Sequence, residues 1–436
     1  MIKKSVSFDC IADKYYSAMT ESELSDIYKK LLSEYEDIKK LGLKLDMSRG
    51  KPSPEQLDLS SGILTALKTA NDCKNESGVD MRNYGFLAGA DDARRLFGEL
   101  CGVPSSQVIA GGSSSLNMMY DTVVRAMLFG VCGSAAWKDL EKVKFLCPCP
   151  GYDRHFAICE ALGIEMINIE MKDDGPDMDE VERLVSSDES IKGIWCVPKF
   201  SNPTGIVYSE ETIRRFAELR PAAKDFRIFW DNAYGVHHIY SEEKLADIFT
   251  LCEKAGNPDR PIYFFSTSKI TFPGAGIALE ASSLANVREY KKHMGIQTIG
   301  PDKLNQLRTV RYLKDAEGVR KHMRELAKEL KPKFDVVLTT LNRELGGTGL
   351  ATWTEPKGGY FVAIDTLDNC AKETVALAKN AGVKLTDAGA TFPYKKDPRD
   401  RNIRIAPTYP NEDDLLTAVK VLTVCTRIAA LEKMLG

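Results

Sequence analysis

The sequence predicts an α/β fold in which a mainly parallel sheet lies between helices, with a smaller α+β part beside it. Three observations lead to this prediction: short, almost wholly apolar runs recur between residues 100 and 285, helix-length stretches separate them, and the pattern changes after about residue 310. Continuous apolarity over four or five residues is typical of strands buried on both faces, as in parallel sheets. Parallel neighbours need crossover connections, and the intervening stretches are long enough to provide them.

The first predicted element is an amphipathic helix over residues 20–41. Apolar residues recur there every three or four positions, Thr20 and Glu23 form a capping-box start, and Gly42 is a stop signal. The next stretch, 48–56, contains two prolines and a glycine, so it is predicted to be a loop.

The central part is predicted to alternate strands with crossover helices. The predicted strands are 108–110, 143–147, 193–197, 227–230 and 261–265. Residues 176–192 and 209–224 are predicted to be two of the crossover helices. A further helix is predicted to follow the Gly-Ser-rich turn at 111–115.

The last part of the chain is predicted to be an α+β lobe. A charged helix is expected from Asp315 to about Leu330, followed by a Gly-Gly turn and an alternating strand in 353–365 and by a final helix capped at Asn411. We therefore predict three segments: residues 1–60 as an amino-terminal part of a small domain, 61–310 as the large domain, and 311–436 as the rest of the small domain.

The composition is that of a globular protein. The chain has 436 residues, of which 43% are hydrophobic and 28% charged, and this excludes the fibrous and disordered classes. The 59 Lys and Arg nearly balance the 62 Asp and Glu, for a net charge of −3, so we expect no nucleic-acid partner. Apolar runs such as 262–265 are far below the roughly 18 residues that a membrane span needs, so we expect no membrane partner.

The amino-terminal residues and the cysteines indicate the cytoplasm. The first ten residues contain two lysines, but charged residues interrupt any apolar stretch that could form a secretory signal. The 11 cysteines, from Cys10 to Cys425, have no paired rhythm, as is typical of free thiols in a reducing compartment. Cys147-Pro-Cys149 has the wrong spacing for a redox pair, and no His or Cys cluster completes a zinc site, so we expect no metal.

The residues directly after the five predicted strands carry the candidate chemistry. In open α/β sheets ligands bind at the carboxyl ends of the strands, so side chains from different strands meet in one crevice. In strand order these residues are Gly111-Gly-Ser-Ser-Ser115, Pro150-Gly-Tyr152-Asp-Arg-His155, Ser201-Asn202-Pro-Thr-Gly205, Asp231-Asn-Ala-Tyr234 and Ser266-Thr-Ser268-Lys269. Taken singly, each has a structural interpretation as a turn or a helix cap. Their occurrence together favours a functional site.

These residue types match the groups of one cofactor. A Gly-Ser turn that opens a helix offers N–H groups and a positive dipole end, which suit a phosphate. Lys269 can form a Schiff base with an aldehyde. Asp231 can face a pyridine nitrogen and keep it protonated, and Tyr152 can stack on the ring. Phosphate, aldehyde and pyridine together describe pyridoxal 5′-phosphate (PLP).

From about residue 45 to 410 the sequence resembles the fold-type I, PLP-dependent aminotransferases of class I/II. The motifs that carry the resemblance are Tyr84 with Gly89, Gly111-Gly-Ser-Ser, Pro-Gly-Tyr152-x-x-His155, Asn202-Pro-Thr-Gly, Asp231-x-x-Tyr234, Ser266-x-Ser-Lys269 and Arg404. The sequences of segments 48–60, 111–117 and 266–276 are similar to those of the divergent aspartate aminotransferase subfamily that is often labelled MocR-type.

The resemblance implies that Lys269 carries the cofactor and then moves the substrate proton. It also implies that Asp231 pairs with the pyridinium nitrogen, that His155 orients Asp231, and that Tyr152 stacks on the ring. The remaining cofactor contacts that it implies are Asn202 and Tyr234 at the phenolic oxygen, Gly112, Ser113, Ser114 and Ser266 at the phosphate, and Tyr84 at the phosphate of the neighbouring subunit of a homodimer.

One departure from the family concerns the phosphate. Many relatives have an arginine shortly after the cofactor lysine, in a pattern that here reads Pro273-Gly-Ala-Gly276 and lacks it. Another cation or additional hydroxyl groups must therefore neutralise the phosphate.

For the substrate, the resemblance implies that Arg404 binds the α-carboxylate in a bidentate manner, assisted by Asn202 and by the backbone of Gly50. The alternative for Arg404 is a surface arginine on an edge strand. Arg49 and Lys51 flank Gly50 and are candidates for a distal carboxylate, the alternative being solvated loop charges.

We therefore expect a cytoplasmic, homodimeric aminotransferase that moves the amino group of aspartate to 2-oxoglutarate in a ping-pong cycle. An aminotransferase for alanine or aromatic amino acids and a C–S lyase stay open, because the fold does not choose among PLP reactions. A PLP-sensing transcription regulator is disfavoured, because residues 21–40 hold six acidic and four basic side chains and give no basic footprint.

Overall fold

The computed structural model describes residues 15–436, which form three sheets and 13 α-helices. The interpretations of the first ten residues and of Cys10 lie outside this range. The strands are β1 (Leu45–Asp46), β2 (Val108–Ala110), β3 (Lys144–Cys149), β4 (Glu165–Lys172), β5 (Gly175–Pro176), β6 (Ile191–Cys196), β7 (Arg227–Asp231), β8 (Pro261–Ser266), β9 (Ala278–Ala281), β10 (Ala351–Trp353), β11 (Val362–Thr366), β12 (Val383–Lys384) and β13 (Asn402–Ile405).

The α-helices lie between these strands and at both ends of the described range. They are α1 (Glu21–Lys40), α2 (Pro54–Asp58), α3 (Asp91–Cys101), α4 (Ser115–Phe129), α5 (Asp153–Ala161), α6 (Met178–Ser187), α7 (Glu210–Glu218), α8 (Ile248–Lys254), α9 (Leu284–Gln297), α10 (Lys303–Leu313), α11 (Ala316–Leu345), α12 (Ala371–Asn380) and α13 (Glu412–Leu435).

The largest sheet has eight strands in the order β2-β9-β8-β7-β6-β3-β4-β5. The pairs β4–β3, β3–β6, β6–β7 and β7–β8 are parallel, whereas β9 is antiparallel to both β2 and β8. All five predicted strands are present and run in the same direction, so their carboxyl ends lie at one edge. The predicted fold class is confirmed.

Both faces of the large sheet are buried, because alternate residues enter two different hydrophobic clusters. Phe229 lies in one cluster and its neighbours Ile228 and Trp230 lie in the other. Each large side chain buried in this way stabilises the fold by about 1.5–3 kcal/mol. Burial on two faces explains why these strands read as continuous apolar runs in the sequence.

The sequence did not predict β9, because a charged residue interrupts it. Glu280 is 1% exposed in the middle of this strand and accepts a hydrogen bond from Thr122 Oγ1 at 2.9 Å. Burial raises the pKa of the Glu280 carboxyl to about 7, so the group is readily neutralised by a proton. A neutral carboxyl costs less to bury than a charged one, so β9 can contain Glu280. The same residue interrupts the apolar run by which the other strands were predicted.

The two ends of the described chain form a second lobe, in which α1 and α11 both pack on α13. Leu31, Phe334 and Leu422 come from these three helices and are at most 1% exposed in one shared core. Helix α1 starts as predicted, since Thr20 and Glu23 form a capping box there. We call this part, with the sheet β10-β11-β13, the small lobe, and the eight-stranded sheet with its helices the large lobe. The domain boundaries at 60 and 310 stay a prediction.

Helix α11 is longer than the sequence predicted. The expected helix ended at about Leu330, but α11 continues through Pro332 to Leu345, over 30 residues in all. Proline inside a helix lacks a hydrogen-bond donor and costs about 3 kcal/mol. Leu330 and Phe334, on either side of Pro332, are buried in the core of the small lobe. Their packing therefore outweighs the local penalty.

The predicted Gly-Gly turn joins the two lobes. The Gly359 N–H donates to the carbonyl of His237 at 2.9 Å, and a Cβ on Gly358 would lie 2.2 Å from the same oxygen. A side chain at 358 would therefore push the small lobe away from the loop that follows β7.

No helix formed by residues 15–436 is long and apolar enough to span a membrane.

Gln306 on α10 provides a test of how the turn after β2 is held. It is 1% exposed, it accepts from the Ala90 N–H at 2.7 Å, and it donates to the carbonyls of Ala110 and Gly111 at 3.0 Å. Gln306→Leu leaves these buried groups without partners, so we expect it to lower the free energy of unfolding by about 2–4 kcal/mol.

Urea denaturation followed by tryptophan fluorescence measures this change. The control Gln297→Leu removes an exposed glutamine whose partners water can replace, and we expect a change within about 0.5 kcal/mol. Equal stability of Gln306→Leu and the control would contradict the role of Gln306.

Candidate active site

The carboxyl ends of β2, β3, β6, β7 and β8 surround a cavity of about 140 Å³, which we call the inner cavity. It is lined by Ser114, Ser115, Leu116, Met119, Tyr152, Val197, Asn202, Asp231, Ala233, Tyr234, Ser266, Ser268 and Lys269. The structure thus brings together residues from all five strand ends that the sequence singled out.

Asp231 is the acidic residue of the inner cavity, and it is 2% exposed. Its Oδ2 lies 3.0 Å from His155 Nε2, whereas its Oδ1 is buried and has no hydrogen-bond partner among residues 15–436. Buried polar atoms nearly always have a partner. A ligand with a donor or a positive charge in the inner cavity can supply the one that Oδ1 lacks.

His155 is itself held by aromatic rings. Its imidazole stacks on Trp195, with ring centres 4.4 Å apart and planes 10° apart, and Tyr152 contacts it edge-on at 4.9 Å. These contacts leave the imidazole little freedom to turn away from Asp231. The sequence placed His155 behind Asp231 through the resemblance, but it did not identify Trp195.

Lys269 lines the inner cavity opposite the aromatic ring of Tyr234, with its Nζ 5.1 Å from the ring centre. Its backbone carbonyl accepts from Tyr360 Oη at 3.3 Å and from His237 Nε2 at 3.2 Å. Burial lowers the pKa of His237 to about 3, so this imidazole is neutral and a donor through Nε2. The backbone of Lys269 is therefore fixed from two sides.

The environment of the Lys269 amine favours its neutral form. Burial lowers the pKa of Lys269, the positive charge of Arg404 lowers it further, and Asp231 acts in the opposite direction. Burial likewise raises the pKa of the Tyr234 phenol well above its usual value. The cavity thus holds an amine that can act as a nucleophile or base and a phenol that stays protonated.

Hydroxyl groups form one end of the inner cavity. Ser114 caps α4 without a side-chain hydrogen bond, Ser266 Oγ lies 3.2 Å from Ser268 Oγ, and Ser268 Oγ donates to the carbonyl of Ser113 at 3.1 Å. Among the described residues that line this cavity, Lys269 is the only cation. Hydroxyl groups and the amino-terminal end of α4 are therefore what this wall offers to a phosphate.

Four predicted cofactor residues do not line the inner cavity, and one of them, His155, lies behind Asp231. Gly112 and Ser113 line a neighbouring cavity of about 300 Å³ beside the same turn. The side chain of Tyr84 is 81% exposed and lines neither of these cavities. Its role in a neighbouring subunit stays a prediction.

A larger cavity of about 640 Å³, which we call the outer cavity, shares Tyr152, Asn202, Tyr234 and Lys269 with the inner one. The predicted substrate residues Arg404, Gly50 and Arg49 line it. A ligand in the outer cavity therefore reaches the same lysine as a ligand in the inner cavity.

Arg404 is buried in the wall of the outer cavity and is 7% exposed, so its interpretation as a surface arginine is wrong. Its Nη1 donates to Asn202 Oδ1 at 3.2 Å and to Asp153 Oδ1 at 3.1 Å, and its Nη2 donates to Thr386 Oγ1 at 3.2 Å. Its Nε is buried and has no partner within residues 15–436. The guanidinium therefore has donor capacity left for an anion.

Gly50 allows the aromatic ring below Arg404 to approach. A Cβ at position 50 would lie 2.5 Å from Phe361 Cζ, and the Arg404 guanidinium lies 4.9 Å from the centre of that ring. Arg49 is exposed at the cavity wall, whereas Lys51 stacks on Tyr409 with its Nζ 3.7 Å from the ring centre. Of the two candidates for a distal carboxylate, only Arg49 lines the outer cavity.

Several residues of the site had no role assigned from the sequence. Ser115 and Ser268 directly adjoin predicted residues, so the Ser-rich turns themselves contained the signal. Tyr360 and Thr386 come from the small lobe, and no local pattern shows that they reach the site. No group of three or more His, Cys, Asp or Glu suited to a metal ion is found within residues 15–436.

Comparisons with known proteins agree with this geometry. The family model described as aspartate amino-transferase matches residues 19–436. A putative aminotransferase of Mycolicibacterium smegmatis is 50% identical over 92% of this chain and 95% of its own. An aspartate aminotransferase of Corynebacterium glutamicum is 45% identical over 96% of this chain and 98% of its own. The crystal structure of an aspartate transaminase from C. glutamicum has a TM-score of 0.94 and 44% identity, covering 97% of this chain and 100% of that one.

The lowered pKa of Lys269 can be tested by chemical trapping. Incubation with a small aldehyde and borohydride labels neutral amines, and peptide mapping by mass spectrometry gives the extent of labelling at each lysine. We expect the labelling of Lys269 to have a pH midpoint below 10.5, and the midpoint to rise in Arg404→Gln because a nearby positive charge is removed. The exposed Lys244 serves as the internal reference. A midpoint for Lys269 at or above 10.5 would contradict the effect of burial.

Proposed function

This chain belongs to the aspartate aminotransferase family, and from that premise we propose that it binds PLP and moves the amino group of L-aspartate to 2-oxoglutarate. It is an aminotransferase, as the sequence predicted. The observation that supports PLP most strongly is that Lys269 and a buried carboxylate with an unpartnered oxygen, Asp231 Oδ1, line one cavity.

The inner cavity fits the three chemical groups of PLP. The hydroxyl-lined end at α4 suits the phosphate, the Lys269 amine suits the aldehyde, and Asp231 suits a protonated ring nitrogen. When bound, PLP supplies an aldehyde for the amino group and an electron-withdrawing ring. The chain in turn supplies His155 to keep Asp231 in place and Tyr152 as a flat surface for the ring.

Asn202 and Tyr234 lie where they can bind the phenolic oxygen of the cofactor, since both line the inner cavity. The raised pKa keeps Tyr234 protonated, so its hydroxyl can donate to that oxygen. Gly112, Ser113, Ser114 and Ser266 remain the proposed phosphate residues, and Ser115 and Ser268 are added to them because they line the same wall.

Lys269 is the proposed general base. Because burial lowers its pKa and the charge of Arg404 lowers it further, the amine is neutral at a lower pH than an exposed lysine amine and can then accept the proton from the substrate Cα. Its fixed backbone keeps the amine within the cavity while the side chain moves. Lys269, Asp231 and Tyr234 together are the proposed catalytic residues.

Arg404 is the proposed site for the substrate α-carboxylate, with Asn202 and the Gly50 backbone beside it. A guanidinium with a free Nε and an Nη2 on the same edge can bind a carboxylate through two hydrogen bonds. Arg49 is the proposed partner of the distal carboxylate. Aspartate and 2-oxoglutarate both carry such a second carboxylate, which alanine and aromatic amino acids lack.

A homodimer is the proposed assembly. Three large hydrophobic side chains are mostly exposed to solvent: Tyr84 at 81%, Ile296 at 84% and Ile299 at 62%. A Cβ on Gly300 would lie 2.6 Å from the Gly85 carbonyl, so the segments of these residues adjoin. An exposed apolar patch of this kind favours self-association. The cytoplasmic location stays a prediction.

The transamination half-reaction tests the proposed function. The purified chain with PLP should show a shift of the cofactor absorbance when L-aspartate is added and should release oxaloacetate, and 2-oxoglutarate should reverse the shift. Steady-state rates should give parallel double-reciprocal lines. Ammonia or pyruvate released from a thioether amino acid, with no oxaloacetate from aspartate, would support the lyase alternative instead.

Lys269→Ala is the matched variant for this experiment. Removal of the general base should lower kcat by about 10³-fold or more while the far-ultraviolet circular dichroism is unchanged. Lys244→Ala, which removes an exposed lysine, should retain full activity. A Lys269→Ala protein with wild-type activity would refute the assignment.

Arg49→Gln tests the distal-carboxylate assignment. Loss of a charge-assisted hydrogen bond should raise KM for aspartate and 2-oxoglutarate about 10- to 100-fold and leave KM for alanine unchanged. Arg154→Gln is the comparison variant, because Arg154 also lines the outer cavity. If Arg154→Gln raises KM for the dicarboxylic substrates and Arg49→Gln does not, Arg49 is not the partner of the distal carboxylate.

A further inference from the structure

The guanidinium of Arg404 has a carboxylate partner within the chain itself. Asp153 Oδ1 accepts from Arg404 Nη1 at 3.1 Å, and the two residues come from different lobes, since Asp153 begins α5 and Arg404 lies on β13. Asp153 is therefore placed at the group to which the proposed function assigns the α-carboxylate of the substrate.

The other contacts of Arg404 leave limited room for a second anion. Nη1 donates both to Asp153 and to Asn202 Oδ1, and Nη2 donates to Thr386 Oγ1. Of the three guanidinium nitrogens, only Nε has no partner among the residues that the structure describes. A carboxylate that approaches this edge would lie beside the negative charge of Asp153, and two carboxylates around one guanidinium repel each other.

We propose that Asp153 competes with the substrate α-carboxylate for Arg404 and so sets the affinity of the enzyme for both its amino acid and its 2-oxo acid. This inference rests on the proposed role of Arg404. Binding of either substrate at the Nε and Nη2 edge brings a second carboxylate beside Asp153, and the repulsion between the two carboxylates releases Asp153 from Nη1, so no net ion pair is gained. Asp153 thus lowers the affinity for substrates without taking part in the chemistry.

Asp153 has a suitable position to occupy when it leaves Arg404. Its side chain is 32% exposed, so water can solvate the released carboxylate. It is also the first residue of α5, whose N-cap residue Tyr152 makes no side-chain hydrogen bond to the helix. A negative charge at an uncapped helix amino terminus is stabilised by the helix dipole. The released carboxylate is therefore not left buried without a partner. An unpaired buried charge would be strongly unfavourable.

Arg404 itself stays paired throughout the exchange. Its side chain is 8% exposed, so a guanidinium without any anion would be unfavourable. Asp153 supplies the anion before the substrate arrives, and the substrate supplies it afterwards. Asn202 and Thr386 hold the guanidinium plane during the change.

The test is the binding of maleate, an unreactive dicarboxylate, to the PLP-loaded enzyme, followed by the cofactor absorbance. Asp153→Asn keeps a hydrogen-bond acceptor but removes the charge, so we expect maleate to bind about two- to fivefold more tightly, with KM for aspartate and 2-oxoglutarate falling in step and kcat unchanged. Asp153→Ala should change binding in the same direction. A merely structural role would raise KM, so a higher KM in Asp153→Asn would overturn the proposal.

Two further variants separate the causes. Glu160→Gln removes another carboxylate that lines the outer cavity, and an equal gain in this variant would show that only net charge matters.

In the Arg404→Gln background, the effect of Asp153→Asn should disappear, because the competition requires the guanidinium. If Arg404→Gln alone leaves maleate binding unchanged, it is the proposed role of Arg404 that fails. If Arg404→Gln weakens binding but Asp153→Asn has no effect in the unaltered background, only the competition by Asp153 fails.

Discussion

The buried carboxylate of Asp231 is the feature on which the rest of the site depends. A charge with 2% exposure is costly unless its oxygens have partners, and within the described part of the chain only Oδ2 has one, from His155. The parallel register of β7 places this carboxylate at the strand end, and Trp195 keeps His155 against it. The unpartnered Oδ1 therefore suits a ligand that offers a positive charge or an N–H group at this end of the inner cavity.

The remaining chemistry is divided between the two lobes. The large lobe contributes the lysine, the carboxylate and the serines, whereas the small lobe contributes Arg404 and the residues that surround it. Contacts such as that of Tyr360 with the Lys269 carbonyl and of Gly359 with His237 fix one lobe on the other. A site assembled in this way can change substrate affinity through the contact between lobes, as we propose for Asp153, while the residues of the inner cavity stay in place.

Much of this arrangement could be predicted from the sequence, and the parts that could not have physical reasons. The strands of the large sheet are apolar because both faces are buried, and the residues after them therefore stand out. Strand β9 was not predicted because Glu280, a readily protonated acid, is buried in it. The predicted end of α11 was wrong because tertiary packing outweighs the effect of Pro332. Contacts between lobes, such as Arg404 with Asp153, join residues far apart in the chain and leave no local pattern. The resemblance to the family, rather than spacing, supplied the roles of His155 and Arg404.

The most direct test is an electron-density map of this chain crystallised with PLP. We expect the ring nitrogen to lie within hydrogen-bond distance of Asp231 Oδ1 and continuous density to join the cofactor to Lys269 Nζ. A map in which the ring nitrogen faces another group, or in which the cofactor is attached to a different lysine, would contradict it.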